Sequence, residues 1–176
     1  LDRVWWSGAY TVKVNVEAQF FNSVLVDRGD RISWTGDAHL TQKLALYVFG
    51  LDDLVRQNIE RTSGPGGYNG IPTYALYWVL SVVDYFWCTG DSSVLIVHHD
   101  ELKRKLRAAL AFWDAPFPLV FVGSDDRLGA DFEGGGAPGE MSRMYRLLSL
   151  QATRAWVSRG VMACAACGSA MKEGAA

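Results

Sequence analysis

The chain has 176 residues, 49% of them apolar and 20% charged, the proportions of one folded domain with a sizeable core. Its net charge is −2 and it holds no basic block, which argues against nucleic acid or an anionic membrane surface as a partner. Three cysteines make no disulfide framework, and the lone Cys164-Ala-Ala-Cys167 pair has no second pair or nearby histidine to complete a zinc site, so no metal is expected.

Val4–Asn15 is an apolar segment whose period leans toward helix. Residues 18–36 read as an irregular connection. From Thr35 a helix is well signalled. Thr35 and Asp37 can accept from the free N–H groups of its first turn, Leu40, Leu44, Tyr47 and Val48 recur at helical spacing, and Gly50 suits the residue just past its end. Leu51–Arg61 gives a shorter helix with Leu54, Val55 and Ile59 inward, and TSGPGGYNG (62–70) is a loop.

Pro72 fits the first turn of the next helix, where its missing N–H costs little. That helix runs to about Cys88 and contains the longest apolar run of the chain. The run falls short of the roughly 20 residues a bilayer needs and Asp84 interrupts it, so no transmembrane segment is expected. It reads instead as a helix buried on nearly every side. TGDSS (89–93) breaks the chain and caps another helix, whose Leu95, Leu102, Leu106, Leu110 and Trp113 form a stripe. Asp100/Arg104 and Glu101/Lys105 are i,i+4 pairs expected on its wet face, at about 0.3 kcal/mol each. Residues 114–139 form a connection longer than a compact domain ordinarily uses, which points to function or a lid. Glu140–Arg159 is helical again, with Met141, Met144, Tyr145, Leu148, Ala152, Ala155 and Trp156 on one face. Beyond Gly160 the residues are small and patternless, so the domain is taken as 1–160 and 161–176 as a poorly ordered or non-native tail. The fold class is all-α, with about six helices arranged as hairpins.

One stretch carries more chemistry than a turn requires. DRGDRISWTGDAH (27–39) places Asp30, Arg31, Trp34 and Asp37 on a loop entering a helix. Carboxylates there can accept from sugar hydroxyls or donate a proton if burial raises a pKa, and an indole offers a flat apolar face that matches the C–H face of a pyranose. The plainer alternative makes Asp37 a helix cap, Trp34 a core residue and Asp30–Arg31 a surface pair.

The stretch resembles the motif R-D-R-x-x-W-x-G-D of α-L-rhamnosidases and related six-hairpin glycosidases, including glycoside hydrolase family 78. The likeness continues in order along the chain. WWSGAYTVKVN (5–15) resembles the helix before the motif. GIPTYALYWVLSVVDYFWCTGD (70–91) resembles the next core helix and its break, and FVGSDDRLGADFE (121–133) resembles the loop placed over the sugar. The resemblance implies helical hairpins forming roughly half of an (α/α)6 toroid, since a full one takes roughly 300 residues or more.

It also implies inverting hydrolysis of a terminal glycosidic bond. By that likeness Asp30 is the general acid, Arg31 orients neighbouring carboxylates, Trp34 is a sugar-stacking wall and Asp37 binds sugar hydroxyls. Asp125, with Asp126 as its fallback, comes from the sugar-contacting loop, and Tyr74 and Trp78 line the pocket, a core role standing beside that one for Trp78. The partner implied is a carbohydrate substrate, and no cofactor is implied. No residue maps onto the family's late general base; Glu133 and Glu140 flank a Gly-rich loop without a motif to support either. A half toroid is expected to be weakly active or inactive and to self-associate through an uncovered apolar face. Two other readings stand beside this one: a carbohydrate-binding or pseudoenzyme remnant without hydrolysis, and a helical scaffold whose aromatics are all core.

Overall fold

A computed structural model describes residues 1–17, 20–21, 33–64, 72–111 and 150–155. Apart from a two-residue antiparallel pair, every regular element among the described residues is helical. In chain order these are α1 (Asp2–Asn15), β1 (Val16–Glu17), β2 (Phe20–Phe21), α2 (Thr35–Phe49), α3 (Asp52–Arg61), α4 (Pro72–Thr89), α5 (Ser93–Val97) and α6 (His99–Ala111). Residues 150–155 are helical as well.

The ambiguous first segment is a helix, with Asp2 in its first turn and Lys13 in its last, the charges its dipole favours. It buries Ala9 and Val12 and comes close to α2 at Gly8, where an added Cβ would stand 3.1 Å from Leu44 Cδ2. β1 and β2 then pair antiparallel, Val16 opposite Phe21, with β2 inside the stretch read as an irregular connection. Two residues per strand leave no alternating pattern to detect. Phe21 is fully buried, and its backbone N–H donates to Asn58 Oδ1 at 3.3 Å, which ties the pair to α3.

Helix α2 starts at Thr35 and ends as its sequence implies. Gly50 takes the left-handed conformation, φ 59°, and its N–H donates to the Leu46 carbonyl. Its start differs in detail: Trp34 is the cap residue and no side chain caps the turn. Its inward face differs too. The buried residues are Thr35, Ala38, His39, Gln42, Ala45 and Leu46, whereas Leu40 and Tyr47 of the apolar stripe stand 69% and 67% exposed. The cause is α4, whose bulky tyrosines and valines leave room for small side chains opposite and whose Ser81 and Asp84 call for polar ones.

Helix α3 places Val55, Asn58 and Ile59 inward, with Leu54 partly covered. Helix α4 is the centre of the core: Leu76, Trp78, Val79, Val82, Val83 and Tyr85 are all buried. Gly90, at φ 73°, closes α4 by donating to the Phe86 carbonyl. Asp91 Oδ1 then accepts from the Ser93 N–H at 2.8 Å to start α5. The single helix expected after this point breaks at His98 into α5 and α6, while Leu95, Leu102 and Leu106 stay buried as the stripe predicts. One contiguous apolar cluster runs from Val12 through α2–α6 to Ala152 of the last described helical stretch.

Directions follow from side-chain partners. Asp37 meets Tyr74, His39 meets Ser81 and Lys43 meets Asp84, so α2 and α4 run the same way. Ile59 meets Trp78 while Asp52 and Arg56 act on Tyr85, so α3 runs opposite to both. The short Gly50–Leu51 link forces the first reversal, and the longer connection before Pro72 allows the second.

Of the charge pairs expected on α6, Glu101–Lys105 forms, but Arg104 also turns to Glu101 and the wet-face placement does not hold. Glu101 accepts from Arg104 through both carboxylate oxygens, at 2.8 and 2.6 Å, and from Lys105 Nζ at 2.9 Å, while Asp100 is fully exposed beside His99. These contacts hold the Glu101 carboxyl down to about 2. Lys105 is not on a wet face. It is 3% exposed, its ammonium stands 5.0 Å over the Trp78 ring, and it donates to the Gly64 carbonyl at 3.3 Å. Residue 105 shares the inward arc with Leu102, Leu106 and Ala109, so packing against Trp78 takes the ammonium in with it.

Candidate functional site

The N-terminal ends of α2 and α4 lie together and carry three of the nominated residues. Each position of Trp34-x-Gly36-Asp37 has a distinct task there. Trp34, extended at φ −77° and ψ 110°, turns the chain into α2, and its carbonyl accepts from the Ala38 N–H at 2.8 Å. Gly36 lets the Tyr74 ring lie against the helix: a Cβ there would come within 2.3 Å of Tyr74 Cε1. Asp37 projects to solvent and takes the Tyr74 hydroxyl on Oδ2 at 3.0 Å. The Trp34 ring, half-buried, meets Tyr74 edge-on with centroids 6.5 Å apart.

Gly36→Ala should therefore act on the cluster itself. The methyl displaces the Tyr74 ring and breaks its bond to Asp37, for an expected loss of about 1–3 kcal/mol. Thermal melting measures the cost; an unchanged midpoint would mean that Tyr74 does not lie against residue 36.

The cluster suits a polyhydroxylated ligand. The exposed carboxylate accepts from hydroxyls and the half-buried indole beside it gives an apolar wall, while Tyr74, 6% exposed, backs both from beneath. Asp30 and Arg31, Asp125 and Asp126, and Glu133 and Glu140 lie outside the described residues. Trp78 is elsewhere. It is 0% exposed, its indole N–H donates to the Ile59 carbonyl at 3.0 Å, and His98 meets its ring edge-on at 5.3 Å. This is the core placement that its sequence context left open beside a pocket wall.

Behind the cluster lies a polar network that the sequence reading did not single out. His39 Nδ1 is 3.1 Å from Ser81 Oγ, and Nε2 is 3.9 Å from Asp84 Oδ2. Lys43 Nζ reaches Asp84 Oδ1 at 3.1 Å. Burial pushes the His39 imidazole down to about 4, Lys43 adding to the shift and Asp84 opposing it. Signals for this network were present: Asp84 is a lone acid in an apolar run, and His39 and Lys43 stand one helical turn apart. Serine, histidine and aspartate here make no hydrolytic triad, because Ser81 is buried and gives its proton to the Tyr77 carbonyl at 3.0 Å.

Among the described residues no group of three or more histidine, cysteine and acidic side chains is arranged to hold a metal ion, and no helix is long and apolar enough to cross a membrane. No protein-family model matches the chain, and comparison with curated proteins and with solved structures finds no significant match.

Proposed function

We propose that the chain is a glycoside-hydrolase-type helical domain of the α-L-rhamnosidase kind, built as part of an (α/α)6 toroid, and that Trp34, Asp37 and Tyr74 bind its terminal sugar. One observation carries the reading: an exposed carboxylate and a half-buried indole at the start of α2 are gathered by one tyrosine from the start of α4. Two parallel helices in contact, with an antiparallel helix across them, are the repeating unit of such a ring, which supports the architecture. The exposed side chains of Leu40 and Tyr47 on α2 support an incomplete ring, because a closed one would cover the inner helices.

Inversion needs two carboxyl groups about 6.5–9.5 Å apart, one acid and one activating water. In this reading Asp30 is the acid and Asp37 holds sugar hydroxyls. Asp37 is already engaged by a phenol and open to solvent, which suits binding rather than proton transfer. The chain alone then binds sugar and turns it over weakly or not at all.

Isothermal titration with p-nitrophenyl α-L-rhamnoside tests binding, and p-nitrophenol release tests turnover. A Kd on the order of 1 mM is expected, weakened at least about tenfold in Asp37→Asn and in Trp34→Ala. Failure to bind the rhamnoside would overturn the sugar-site reading. Robust turnover lost in Asp30→Asn would instead make this chain a complete catalyst.

A further inference from the structure

Four rings run in single file along the α2–α4 seam from His39 to Trp34. His39 lies tilted on Tyr77 with centroids 5.5 Å apart, Tyr77 meets Tyr74 edge-on at 6.3 Å, and Tyr74 meets Trp34 edge-on at 6.5 Å. Tyr74, the third ring, also donates its hydroxyl to Asp37.

The His39 end is fixed by hydrogen-bond bookkeeping. Ser81 has one hydroxyl proton and gives it to the Tyr77 carbonyl, so its oxygen accepts from the His39 Nδ1–H. The Nε2 lone pair then faces Asp84 Oδ2 across 3.9 Å, too far for a hydrogen bond, while Lys43 holds the other Asp84 oxygen. Among the described residues, the charged groups acting on the ring are Asp84, from α4, and Lys43, from α2 itself. Tyr77 is thus held twice: its ring by the imidazole face, and its carbonyl by the serine that the imidazole engages.

We infer that His39 is a positioning residue for the sugar-binding cluster, acting through Tyr77 to keep the Tyr74 hydroxyl on Asp37. The purpose of the device rests on the sugar-site reading; its geometry does not. A proton added at Nε2 turns a lone pair facing a carboxylate into a donor. The ring is then drawn toward Asp84 and off the face of Tyr77, which frees Tyr77 and Tyr74 in turn. Burial keeps that proton off the neutral ring, so the row is rigid at pH 7 and loosens only in acid.

Tyrosine-ring and histidine-ring carbon resonances of the full chain, followed from pH 7.5 to about 3, past the His39 midpoint, test this without any sugar. Tyr74, assigned with Tyr74→Phe, should shift with the midpoint of His39 while the helical circular dichroism is retained. Tyr77→Leu should leave His39 titrating and abolish the Tyr74 response. A Tyr74 signal that stays fixed as His39 titrates, or one that still shifts in Tyr77→Leu, overturns the inference. So does collapse to the unfolded chain before His39 titrates, which would make the histidine a lock on the fold alone.

Binding separates the two readings. His39→Gln should weaken the Kd for p-nitrophenyl α-L-rhamnoside about tenfold at pH 7. An unchanged Kd in His39→Gln, with loss in Asp37→Asn, refutes the positioning role and leaves the sugar site standing. Absence of rhamnoside binding in the unaltered chain refutes the sugar site, and the positioning purpose with it, while the ring response is still read by resonance.

Discussion

Trp78→Ala is expected to cost about 3–5 kcal/mol and to lower the melting midpoint by roughly 10 °C. Trp78 heads the fully buried side chains by volume and sits where α3, α4 and α6 meet. Its removal opens a cavity between elements that cannot collapse independently. It also strips two polar groups of their arrangement: the Ile59 carbonyl loses its indole donor, and Lys105 loses the ring face under its ammonium. A buried ammonium, held also by Glu101 and the Gly64 carbonyl, loses a partner surface, which raises the cost further. Trp78→Phe keeps most of the volume and should cost about 1–2 kcal/mol, chiefly the lost hydrogen bond. Thermal and urea melts of both variants give the comparison. An alanine variant as stable as the parent would show that this ring is not the centre of the core.

Acid should destabilise the fold through His39. The unfolded chain takes up a proton on this residue near the ordinary value of 6.5, while the folded chain resists until about 4. Between those values the unfolded state binds more protons, so stability is complete above pH 6.5 and falls as pH drops toward 4, by about 3 kcal/mol in all. His98, also lowered mainly by burial, contributes with the same sign. Glu101 adds a further loss in more acid solution, because its carboxyl must be protonated away from Arg104 and Lys105 as pH falls from 4.5 toward 2. Urea unfolding at pH 7, 5.5 and 4.5 measures the slope. His39→Gln retains a neutral amide donor and should flatten the upper part of it; a slope identical in parent and variant would assign the acid loss to other groups.

The spacing Trp34-x-Gly36-Asp37 was readable as a motif, yet its reason was not, because Tyr74 comes from a helix 37 residues along from Asp37. A sequence separates the ring from the glycine it covers; contact between α2 and α4 joins them. Tyr74 itself was nominated, and the structure places it at the centre of the cluster, whereas Trp78, one turn further along α4, points into the core. Four residues on one helix advance the side chain by about 40° around the axis and 6 Å along it, enough to exchange the contact with Asp37 of α2 for contacts with Ile59 of α3 and Lys105 of α6. Asp84 was noted only as a break in the apolar run, and His39 and Ser81 were not singled out, because a lone polar residue in an apolar helix does not name its partner; the three acquire a joint meaning only across the α2–α4 seam.

The order and limits of the helices are local matters, settled by Pro72 in the first turn of α4, Gly50 and Gly90 in left-handed turns, and Asp91 at the start of α5. Those residues act on backbone within a few positions of themselves, so they speak in any context. Which face each helix turns inward is not local. Helix α2 hides Ala38, His39 and Gln42 and leaves Leu40 and Tyr47 in solvent, and α6 buries Lys105, because α4 offers each of them a particular surface of rings, hydroxyls and a carboxylate. Burial is a property of two surfaces meeting, and a periodicity read along one strand of sequence reports only one of them.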